Sequence, residues 1–312
     1  MLVWIRRLFF LFWKMRSKKI LFFLIFFLFL SLLIFRGRRG RFNLLLLGIP
    51  GGDYPGSRLS DTIMVLSFSP RDLALISIPR DIWIEEFGQK INTLYARGGL
   101  SLAKEKIAQL LGIRIDGGVV INFLGFKKAI DLVGGIDVEV EHSFDDFYYP
   151  LPGKENDECG GDPQLRCRYE HLHFEKGKTH MDGDLALKFA RSRQATNSAE
   201  GTDFARARRQ QKIILAFREK FLSPRHLFQP QVLWGLWQIS RSNLESDLGI
   251  REILSLILHL QWRNVRSFSL DWGRENKGGL LFNPPLEEYG TWVLVPRKDW
   301  GEIREELAKF LR

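Results

Sequence analysis

Hydrophobic and polar positions vary along the chain in a way that predicts strands and helices following one another. Apolar runs at 42–48 (FNLLLLG), 61–68 (DTIMVLSF) and 73–78 (LALISI) are typical of buried strands, and the SPRD turn between the last two predicts a hairpin. Further strands are predicted at 119–122, 136–140, 267–270 and 291–295. Helical spacing predicts helices at 101–111, 123–133, 185–191, 203–222, 232–239, 250–262 and 303–311. We therefore expect residues 42–312 to form one α/β domain, an α/β/α sandwich with a mixed central sheet.

The start of the chain has a different pattern and predicts a membrane anchor. Residues 20–35 (ILFFLIFFLFLSLLIF) contain one polar side chain, Ser31, between the basic stretches RSKK and RGRRGR. A helix of this length spans roughly 24 Å, slightly less than a hydrocarbon core, and snorkelling of Lys19 and Arg36 extends its reach. No small-residue cleavage site follows, so an uncleaved transmembrane helix is favoured over a signal peptide.

The charges around this span predict its orientation. Six basic residues precede it within 1–19 and four follow it within the juxtamembrane linker 36–41, which favours a cytoplasmic N-terminus. The aromatic and basic segment at 2–13 (LVWIRRLFFLFW) is expected to lie in the membrane interface. The expected localisation is therefore the cell membrane, with a single pass and with the domain at 42–312 outside the cytoplasm.

The net charge of +10 comes from this N-terminal region alone. Of the 46 Lys and Arg residues, ten lie within 1–41, which has no Asp or Glu, so that 36 basic residues remain against 36 acidic ones in 42–312. Domains that bind nucleic acid usually carry a basic excess. The large domain is neutral overall, which disfavours a role in binding DNA.

Segment 143–178 is rich in Gly, Pro and acidic residues and has weak periodicity, which predicts a loop excursion from the core. It contains the two cysteines of the chain, Cys159 and Cys167, and outside the cytoplasm this pair favours a disulfide. A metal site formed together with His171 and His173 is the alternative. The pattern C-x7-C-x3-H-x-H is not a standard zinc spacing, so the disulfide is favoured.

Five arginines are concentrated at 189–212 (FARSRQATNSAEGTDFARARRQQK). Arg191 and Arg193 lie two residues apart at the end of one predicted helix. Guanidinium groups match phosphate oxygens bidentately, so the cluster favours a pyrophosphate or polyphosphate ligand. The alternative is a solvated basic surface, which is the more common reason for a run of charges.

The helix predicted at 203–222 indicates which residues of this cluster face the core. A step of 100° per residue places Asp203, Arg206 and Gln210 on one stripe, which continues into apolar positions that face the core. Charges that face a core must be paired or bound, so Asp203 and Arg206 are expected to pair with each other or to hold a ligand. Arg208 and Arg209 are expected to lie off this stripe and to be solvated.

Two further stretches place charged residues close to predicted strands. Arg80 and Asp81 follow the strand at 73–78, and ligands of α/β sheets collect outside the carboxyl ends of strands. Asp61 opens the neighbouring strand, and its carboxylate is a hard oxygen ligand that suits Mg²⁺. Lys90 adds a cation shortly downstream. Each of these stretches taken alone is more often a cap or a turn.

The order of the motifs resembles the LytR–CpsA–Psr family of cell-envelope glycopolymer phosphotransferases. The resemblance covers about 42–222 and rests on LLLLG, SDTIMV, SIPRD, KINTLYARGG, LLGIRID, FKKAIDLVGGIDVEV, HMDGDLALKFARSR and DFARARRQQ. It implies an α/β/α domain outside the membrane, tethered by one helix. It also implies an enzyme that takes a glycan polymer from a polyprenyl pyrophosphate carrier and joins it to peptidoglycan through a phosphodiester.

The resemblance further implies roles for individual residues. Mg²⁺ or another divalent cation falls on Asp61 and Asp203, and the general base is either Asp61 or Asp81. The family often carries an Asp directly after the first strand, whereas this chain has GIPGGDYPGSR, in which Asp53 or Arg58 is a candidate replacement. The residues expected to bind the pyrophosphate are Arg80, Arg191, Arg193 and Arg206, assisted by Lys90 and Gln210. The expected catalytic residues are Arg80, Asp81, Arg191, Arg193 and Arg206.

The mechanism that the resemblance implies is phosphoryl transfer. A muramic-acid hydroxyl attacks the glycan-side phosphorus, polyprenyl phosphate leaves, and arginines and metal stabilise the charge on the oxygens. The partners are then lipid-linked glycan, peptidoglycan and the bilayer, with no nucleic acid. Three alternatives remain: a hydrolase of polyprenyl pyrophosphate, a non-catalytic binder of lipid-linked glycan, and a DNA-binding regulator, which the neutral domain disfavours.

Overall fold

The computed structural model describes the domain but not the N-terminal region. The segments predicted as interfacial (1–19) and transmembrane (20–35) lie outside the described residues, as does most of the helix predicted at 250–262. Among the helices that are described, none is long and apolar enough to cross a membrane. For Asp203, Gly273, Arg274 and Lys277 the backbone alone is described. The described residues are 41–312 except 71, 152, 224–225, 227–228, 250–251, 254–255, 257–263, 272 and 275–276.

Strands and helices interleave along this part of the chain, as predicted. The strands are β1 (Phe42–Ile49), β2 (Thr62–Phe68), β3 (Leu73–Ser77), β4 (Trp83–Ile84), β5 (Gln89–Lys90), β6 (Gly117–Asn122), β7 (Ile136–Val140), β8 (Phe144–Pro150), β9 (Tyr169–Phe174), β10 (Gly177–Met181), β11 (Leu244–Ser246), β12 (Val265–Ser269), β13 (Gly273–Arg274), β14 (Lys277–Gly278), β15 (Leu281–Phe282) and β16 (Val295–Pro296). The helices are α1 (Leu94–Leu111), α2 (Phe123–Leu132), α3 (Gly183–Arg191), α4 (Asp203–Phe221), α5 (Pro230–Asn243), α6 (Leu286–Tyr289) and α7 (Trp300–Leu311).

Six strands form a mixed central sheet in the order β11-β6-β1-β2-β3-β12. The predicted hairpin is confirmed, since β2 and β3 pair antiparallel, and β1 is parallel to β6 but antiparallel to β2. At one end of the sheet Ile49 lies opposite Asn122 and Gly48 opposite Thr62. We call this the top end. At the bottom end β1 begins with Phe42 opposite Phe68.

Both faces of this sheet are covered, because successive residues of β1 point to opposite faces and are apolar on both. On one face Leu45 and Leu47 belong to a hydrophobic cluster with residues of α1 and α7. On the other face Leu44 belongs to a cluster against which Ile214 and Leu215 of α4 pack. The predicted arrangement of helices on both faces of a mixed sheet is therefore confirmed.

A second core lies beside the sheet and corrects the prediction for segment 143–178. The strands β8 and β9 pair as a ribbon, and their Phe144, Tyr149, Leu172 and Phe174 are buried together with Phe189 of α3. The prediction of an excursion is wrong for the two ends of the segment. The apolar positions of each strand are few and a register shift interrupts the pairing, so the alternation in the sequence is weak.

Helix α1 begins earlier than predicted. A pair of glycines interrupts it, and the sequence pattern predicted only the part after this interruption. The helical geometry starts at Leu94, whereas the sequence predicted a start at 101. Gly98 and Gly99 depart from helical geometry, and Gly99 has a φ of 67° that favours glycine. The segment on the N-terminal side of this kink had no helical period of its own to reveal it.

Cys159 and Cys167 are joined by a disulfide within the turn region between β8 and β9. We expect the Cys159→Ser and Cys167→Ser double variant to lose at most about 2–3 kcal/mol of unfolding free energy, the chain-entropy value for so short a loop. The activity of the chain should be unchanged, because the turn supplies no residue to the cavity at the top end of the sheet. Urea unfolding and an activity assay of the variant would check both expectations, and a large loss of activity with unchanged stability would contradict them.

Candidate active site

A cavity of about 370 Å³ lies at the top end of the sheet, between β1, β6, the helices α2, α3 and α4, and the β8–β9 ribbon. Its charged residues come from three separate parts of the chain, 61–80, 146 and 191–206. Its remaining wall is mainly apolar. The charged and amide residues that line it are Asp61, Arg80, Asp146, Arg191, Arg193, Gln194, Arg206 and Gln210.

Arg80 lies at the cavity because β3 ends just before it and the chain turns at the top end of the sheet. Its Nη1 donates a hydrogen bond to Oδ1 of Asp61, which directly precedes β2. The two side chains are about one quarter exposed. Asp61 therefore holds the Arg80 guanidinium at the cavity wall, and the structure brings this predicted pair together.

Asp81 and Lys90 do not line this cavity. Lys90 Nζ donates to Asp81 Oδ1 at 2.8 Å, and Asp81 Oδ2 lies 3.5 Å from Nε of Arg80. The Asp81 carboxylate thus contacts Arg80 without lining the cavity itself, which indicates a positioning role. Of the two candidate bases, Asp61 faces the cavity and Asp81 faces the cations that surround it.

Arg191 is placed at the cavity by the last turn of α3 and by two aromatic rings. Its Nη1 donates to the hydroxyl of Tyr149 at 3.2 Å, and its guanidinium carbon lies 4.6 Å from the ring centre of Phe123. Burial raises the pKa of Tyr149, against the opposing effect of the Arg191 charge. The phenol therefore stays neutral beside the guanidinium.

Asp146 organises the loop that follows α3, and sequence reasoning missed it. Its side chain is buried, and its Oδ2 accepts from Ser192 Oγ at 2.6 Å and from the backbone N–H groups of Arg193 at 3.1 Å and Gln194 at 3.3 Å. Three donors to one carboxylate oxygen hold this loop, and with it Arg193, against the cavity. A buried Asp in a segment of weak periodicity gives no sequence signal that separates it from the exposed acids around it.

The Asp146→Ala variant should lower both stability and transfer. Ser192 and two backbone N–H groups would lose their acceptor, and unsatisfied buried donors cost about 1–3 kcal/mol each at most. Because Arg193 lies on the released loop, we expect the turnover to fall more than the affinity of the protein for its substrate. Comparison with Asp145→Ala, a half-buried neighbour on the same strand whose carboxylate points away from this loop to His171 and His173, provides the matched control. Equal effects of the two variants on turnover would contradict the positioning role.

Helix α4 supplies Arg206 and Gln210, as the stripe predicted. Thr202 caps the helix by accepting from the N–H of Ala205 at 3.1 Å, and Arg206 is 8% exposed at the cavity wall. Gln210 lies one turn further and donates to the carbonyl of Ala190 at 3.4 Å. Asp203 begins α4, but its side chain lies outside the described residues, so its predicted pairing remains a prediction.

The prediction that Arg209 is solvated is wrong. Its side chain is only 2% exposed, and Nη1 donates to Oε2 of Glu200 at 2.7 Å. Its Nε donates to the carbonyl of Phe189 at 3.0 Å and its Nη2 to that of Ser192 at 2.6 Å. Position 209 is only about 60° around the helix from Arg206, on the flank that packs on α3. Arg208, on the opposite side, is exposed as predicted.

Arg209 therefore fastens α4 to the C-terminal end of α3. It donates to carbonyls on both sides of Arg191, which keeps this arginine in register with Arg206. Burial lowers the pKa of the Arg209 guanidinium, and the Glu200 carboxylate opposes that shift. A buried arginine of this kind is a positioning residue that does not line the cavity itself.

The apolar wall of the cavity could not be derived from the sequence. It starts next to the arginines and is continuous with the core between the sheet and the helices. Aromatic rings of α2 and of the ribbon line one side, and aliphatic residues of the sheet and α4 line the other. The apolar and aromatic residues of this wall are Leu46, Ile121, Phe123, Phe126, Tyr148, Tyr149, Pro150, Tyr169, Leu187, Ile213 and Ile214.

Neither of the candidates for the missing family Asp takes its place in the cavity. Asp53 is exposed, and the guanidinium of Arg58 stacks over the ring of Tyr95 at 4.8 Å. The alternative metal site is also not assembled among the described side chains. Both His171 and His173 bind the carboxylate of Asp145 on the outer face of the ribbon, while the cysteines form their disulfide.

Comparisons with known proteins agree with this fold. Residues 33–283 match the LytR_cpsA_psr family model. The polyisoprenyl-teichoic acid--peptidoglycan teichoic acid transferase TagV of Bacillus subtilis is 30% identical over 224 residues, which are 69% of this chain and 52% of TagV. TagU of Enterococcus faecalis, a transferase of the same description, is 31% identical over 280 residues, which are 86% of this chain and 80% of TagU. The crystal structure of B. subtilis TagV has a TM-score of 0.60 and 26% identity, and covers 88% of this chain and 98% of that one.

Proposed function

The chain belongs to the LytR_cpsA_psr family, and from this premise we propose that it transfers a glycan polymer from a polyprenyl pyrophosphate carrier to peptidoglycan. The observation that carries the proposal is the cavity, which Arg80, Arg191, Arg193 and Arg206 line together with an apolar wall. The names of TagV and TagU, which describe transfer of teichoic acid from a polyisoprenyl carrier to peptidoglycan, support the same reaction.

The charged residues and the apolar residues of the cavity match the two chemical parts of such a carrier, its pyrophosphate and its polyprenyl chain. Four guanidinium groups in a confined space require an anion with several oxygens, which a pyrophosphate supplies. The adjoining apolar surface suits a polyprenyl chain, because burial of its methylene and methyl groups is favourable by roughly 0.8 kcal/mol per CH₂. A soluble sugar nucleotide would leave this wall without a partner.

The proposed reaction replaces one phosphorus–oxygen bond with another. A peptidoglycan hydroxyl attacks the glycan-side phosphorus, its oxygen forms the new phosphodiester, and the bond to the bridging oxygen breaks so that polyprenyl phosphate leaves. The proton of the hydroxyl passes to a base at the cavity, for which Asp61 is the candidate. Positive charge fixed at the non-bridging and leaving oxygens supplies most of what such a transfer requires from a protein. Arg206, Arg191 and Arg193 come from helices or the adjoining loop and are fixed before substrate enters.

The neighbours of Arg80 fix the position of its guanidinium, and we propose this positioning role for Asp81 and Lys90. Lys90 neutralises Asp81, and Asp81 lies against Nε of Arg80 while Asp61 binds its Nη1. We assign Arg80 to the phosphates and Asp81 and Lys90 to its positioning. Gln210, one turn after Arg206, offers an amide to the same oxygens.

The Asp61 carboxylate at the cavity offers a ligand oxygen for a divalent cation. Asp61 lines the cavity, and one of its two oxygens suffices for Arg80. Asp203 begins the helix that carries Arg206 one turn later. We propose that Asp61 and Asp203 hold Mg²⁺ or a similar ion, since Mg²⁺ commonly binds one or two carboxylates together with substrate phosphates. The bound ion would add positive charge beside the phosphate oxygens.

Product analysis tests this function against its alternatives. The purified chain would be incubated with a polyprenyl-pyrophosphate glycan, with and without peptidoglycan. We expect polyprenyl phosphate and a glycan–peptidoglycan phosphodiester only when the acceptor is present. Release of free glycan phosphate at the same rate without acceptor would instead indicate a hydrolase. Binding without any product would indicate a carrier protein, and tight salt-sensitive binding to DNA in a gel shift would favour a regulator.

The membrane anchor at 20–35 and its orientation are part of the proposal, supported by the sequence pattern alone. Protease added to intact spheroplasts should digest the domain at 42–312 and leave the short cytoplasmic segment. Cytoplasmic marker proteins provide the control for leakage. Protection of the domain under these conditions would reverse the proposed topology.

A further inference from the structure

Helix α5 has two apolar faces, of which one is packed. Val232 and Leu236 face inward against the second core. Leu233, Trp234 and Trp237 are 49%, 58% and 47% exposed. Steps of 100° per residue place these three within an arc of about 100° on the outward side. We call them the Trp face, since a cluster of large exposed apolar side chains marks an interaction surface.

The chemistry of the Trp face is that of a membrane interface. The rings of Trp234 and Trp237 stack with their centres 4.6 Å apart, and the Arg241 guanidinium lies 5.0 Å from the centre of the Trp237 ring. The helix contains no Asp or Glu. Tryptophan and a basic residue on one face, without acids, are typical of helices that lie in lipid headgroups.

The fold places this face at the bottom end of the sheet, where β1 begins. Helix α4 runs from the cavity at the top end towards this bottom end, because Ile214 and Leu215 pack against a cluster that contains Phe68 of the bottom end, and the helix continues to Phe221. Val232, at the start of α5, shares a core with Phe221. Gly235 lies against Leu132, the last residue of α2, and Asn243 at the end of α5 lies against Gly125 in the first turn of α2. Helix α5 therefore returns to the top end, where Leu244 lies opposite Ile121. Leu233 and Trp234 lie in the first half of α5, and Trp237 follows one turn after them.

The chain enters the described domain at this same end. The apolar span at 20–35 is joined to β1 by the basic linker 36–41, which reaches at most about 21 Å when extended. A domain tethered this closely keeps its bottom end near the bilayer, and the high effective concentration makes a small apolar contact sufficient for docking.

We propose that the Trp face docks on the outer surface of the lipid bilayer, with the two tryptophans at the level of the headgroups and Arg241 beside them. This inference rests on the proposed anchoring of the chain but not on its catalytic activity. Docking would fix the orientation of the domain relative to the membrane that holds its lipid-linked substrate.

Quenching by brominated lipids tests the docking directly. Full-length chain would be reconstituted in vesicles of phosphatidylglycerol and phosphatidylethanolamine, with or without brominated acyl chains. Emission from the Trp face is obtained by subtracting the spectrum of the W234F/W237F double variant from that of the wild type. The matched control is Trp83, which lies three residues after Arg80 at the top end and packs on the ring of Tyr289. Its emission is obtained in the same way from the W83F variant.

We expect the emission assigned to the Trp face to be lost in brominated vesicles, and the emission assigned to Trp83 to be retained. Equal emission of the Trp face in both kinds of vesicle would overturn the docking, as would cross-links between two copies through α5. A W234S/W237S variant adds a functional readout, with slower transfer in vesicles and wild-type transfer with a short-chain substrate in detergent. Wild-type chain that shows the quenching but no transfer would contradict the proposed function alone.

Discussion

Arg206→Ala should abolish measurable transfer and weaken binding of the lipid pyrophosphate by tenfold to more than a hundredfold. The binding loss corresponds to roughly 1.5–3 kcal/mol, the range for one hydrogen bond to a charged group. Arg206→Lys should fail nearly as badly, because an ammonium cannot reproduce the planar guanidinium fork. Turnover and lipid binding measured on the same preparations would separate the loss of chemistry from the loss of affinity.

The matched control for this prediction is Arg208→Ala. Arg208 lies two residues further on the same helix, but it is exposed and donates to the carbonyl of Ala199 at 3.3 Å. Both variants remove one positive charge from α4, so a diffuse attraction for anions would change equally. We expect Arg208→Ala to retain near wild-type activity, and equal losses in the two variants would indicate a basic surface in place of a phosphate site.

Arg209→Ala should produce the largest loss of stability of any single arginine substitution in α4. It removes the guanidinium partner of the buried Glu200 carboxylate, which keeps the ring of His142 at 3.2 Å, and it removes the donor to three backbone carbonyls. Breaking a buried ion pair by removing one partner costs about 3–5 kcal/mol. Urea unfolding measures this loss, and transfer should also fall because the end of α3 is released.

The ion pair itself can be separated from the carbonyl contacts by a second variant. Arg209→Met with Glu200→Gln removes both charges, so no uncompensated carboxylate is buried, and we expect part of the stability to return. Arg208→Ala serves again as the control and should unfold at the wild-type urea concentration. A similarly small effect of Arg209→Ala would mean that the buried ion pair adds little to the fold.

The regular elements of the domain could be predicted from the sequence because their periodicity is strong. The hairpin of β2 and β3, the strand β7 and the stripe of α4 follow directly from apolar spacing. The ribbon of β8 and β9 could not be predicted, since its buried residues are interrupted by charged ones. Its contribution to the core depends on contacts with α3, which are far away in sequence.

The candidate site was predicted where residues follow a strand or share a helix stripe, and missed where packing decides. Arg80, Arg191, Arg193, Arg206 and Gln210 meet at the cavity as the motif order implied. Arg209 was misjudged because solvation was inferred from one helix alone, while its environment is set by the adjoining end of α3. The role of Asp146 likewise appears only when the loop after α3 folds over it.

The apolar wall shows the same limit at a larger scale. Its residues come from β1, β6, α2, α3, α4 and the ribbon, and each belongs to a run that also builds the core. No spacing along the sequence distinguishes a residue that lines a cavity from one that fills it. Side-chain volume on opposing elements decides this, and it is a property of the packed domain.

A crystal structure of the chain soaked with a polyprenyl pyrophosphate tests the central claim most directly. We expect the pyrophosphate to contact Arg80, Arg191, Arg193 and Arg206, and the first isoprene units to lie along Phe126 and Ile213 on the apolar wall. A pyrophosphate bound elsewhere on the domain, or a prenyl chain directed into solvent with the apolar wall uncovered, would contradict the assignment of this cavity as the active site.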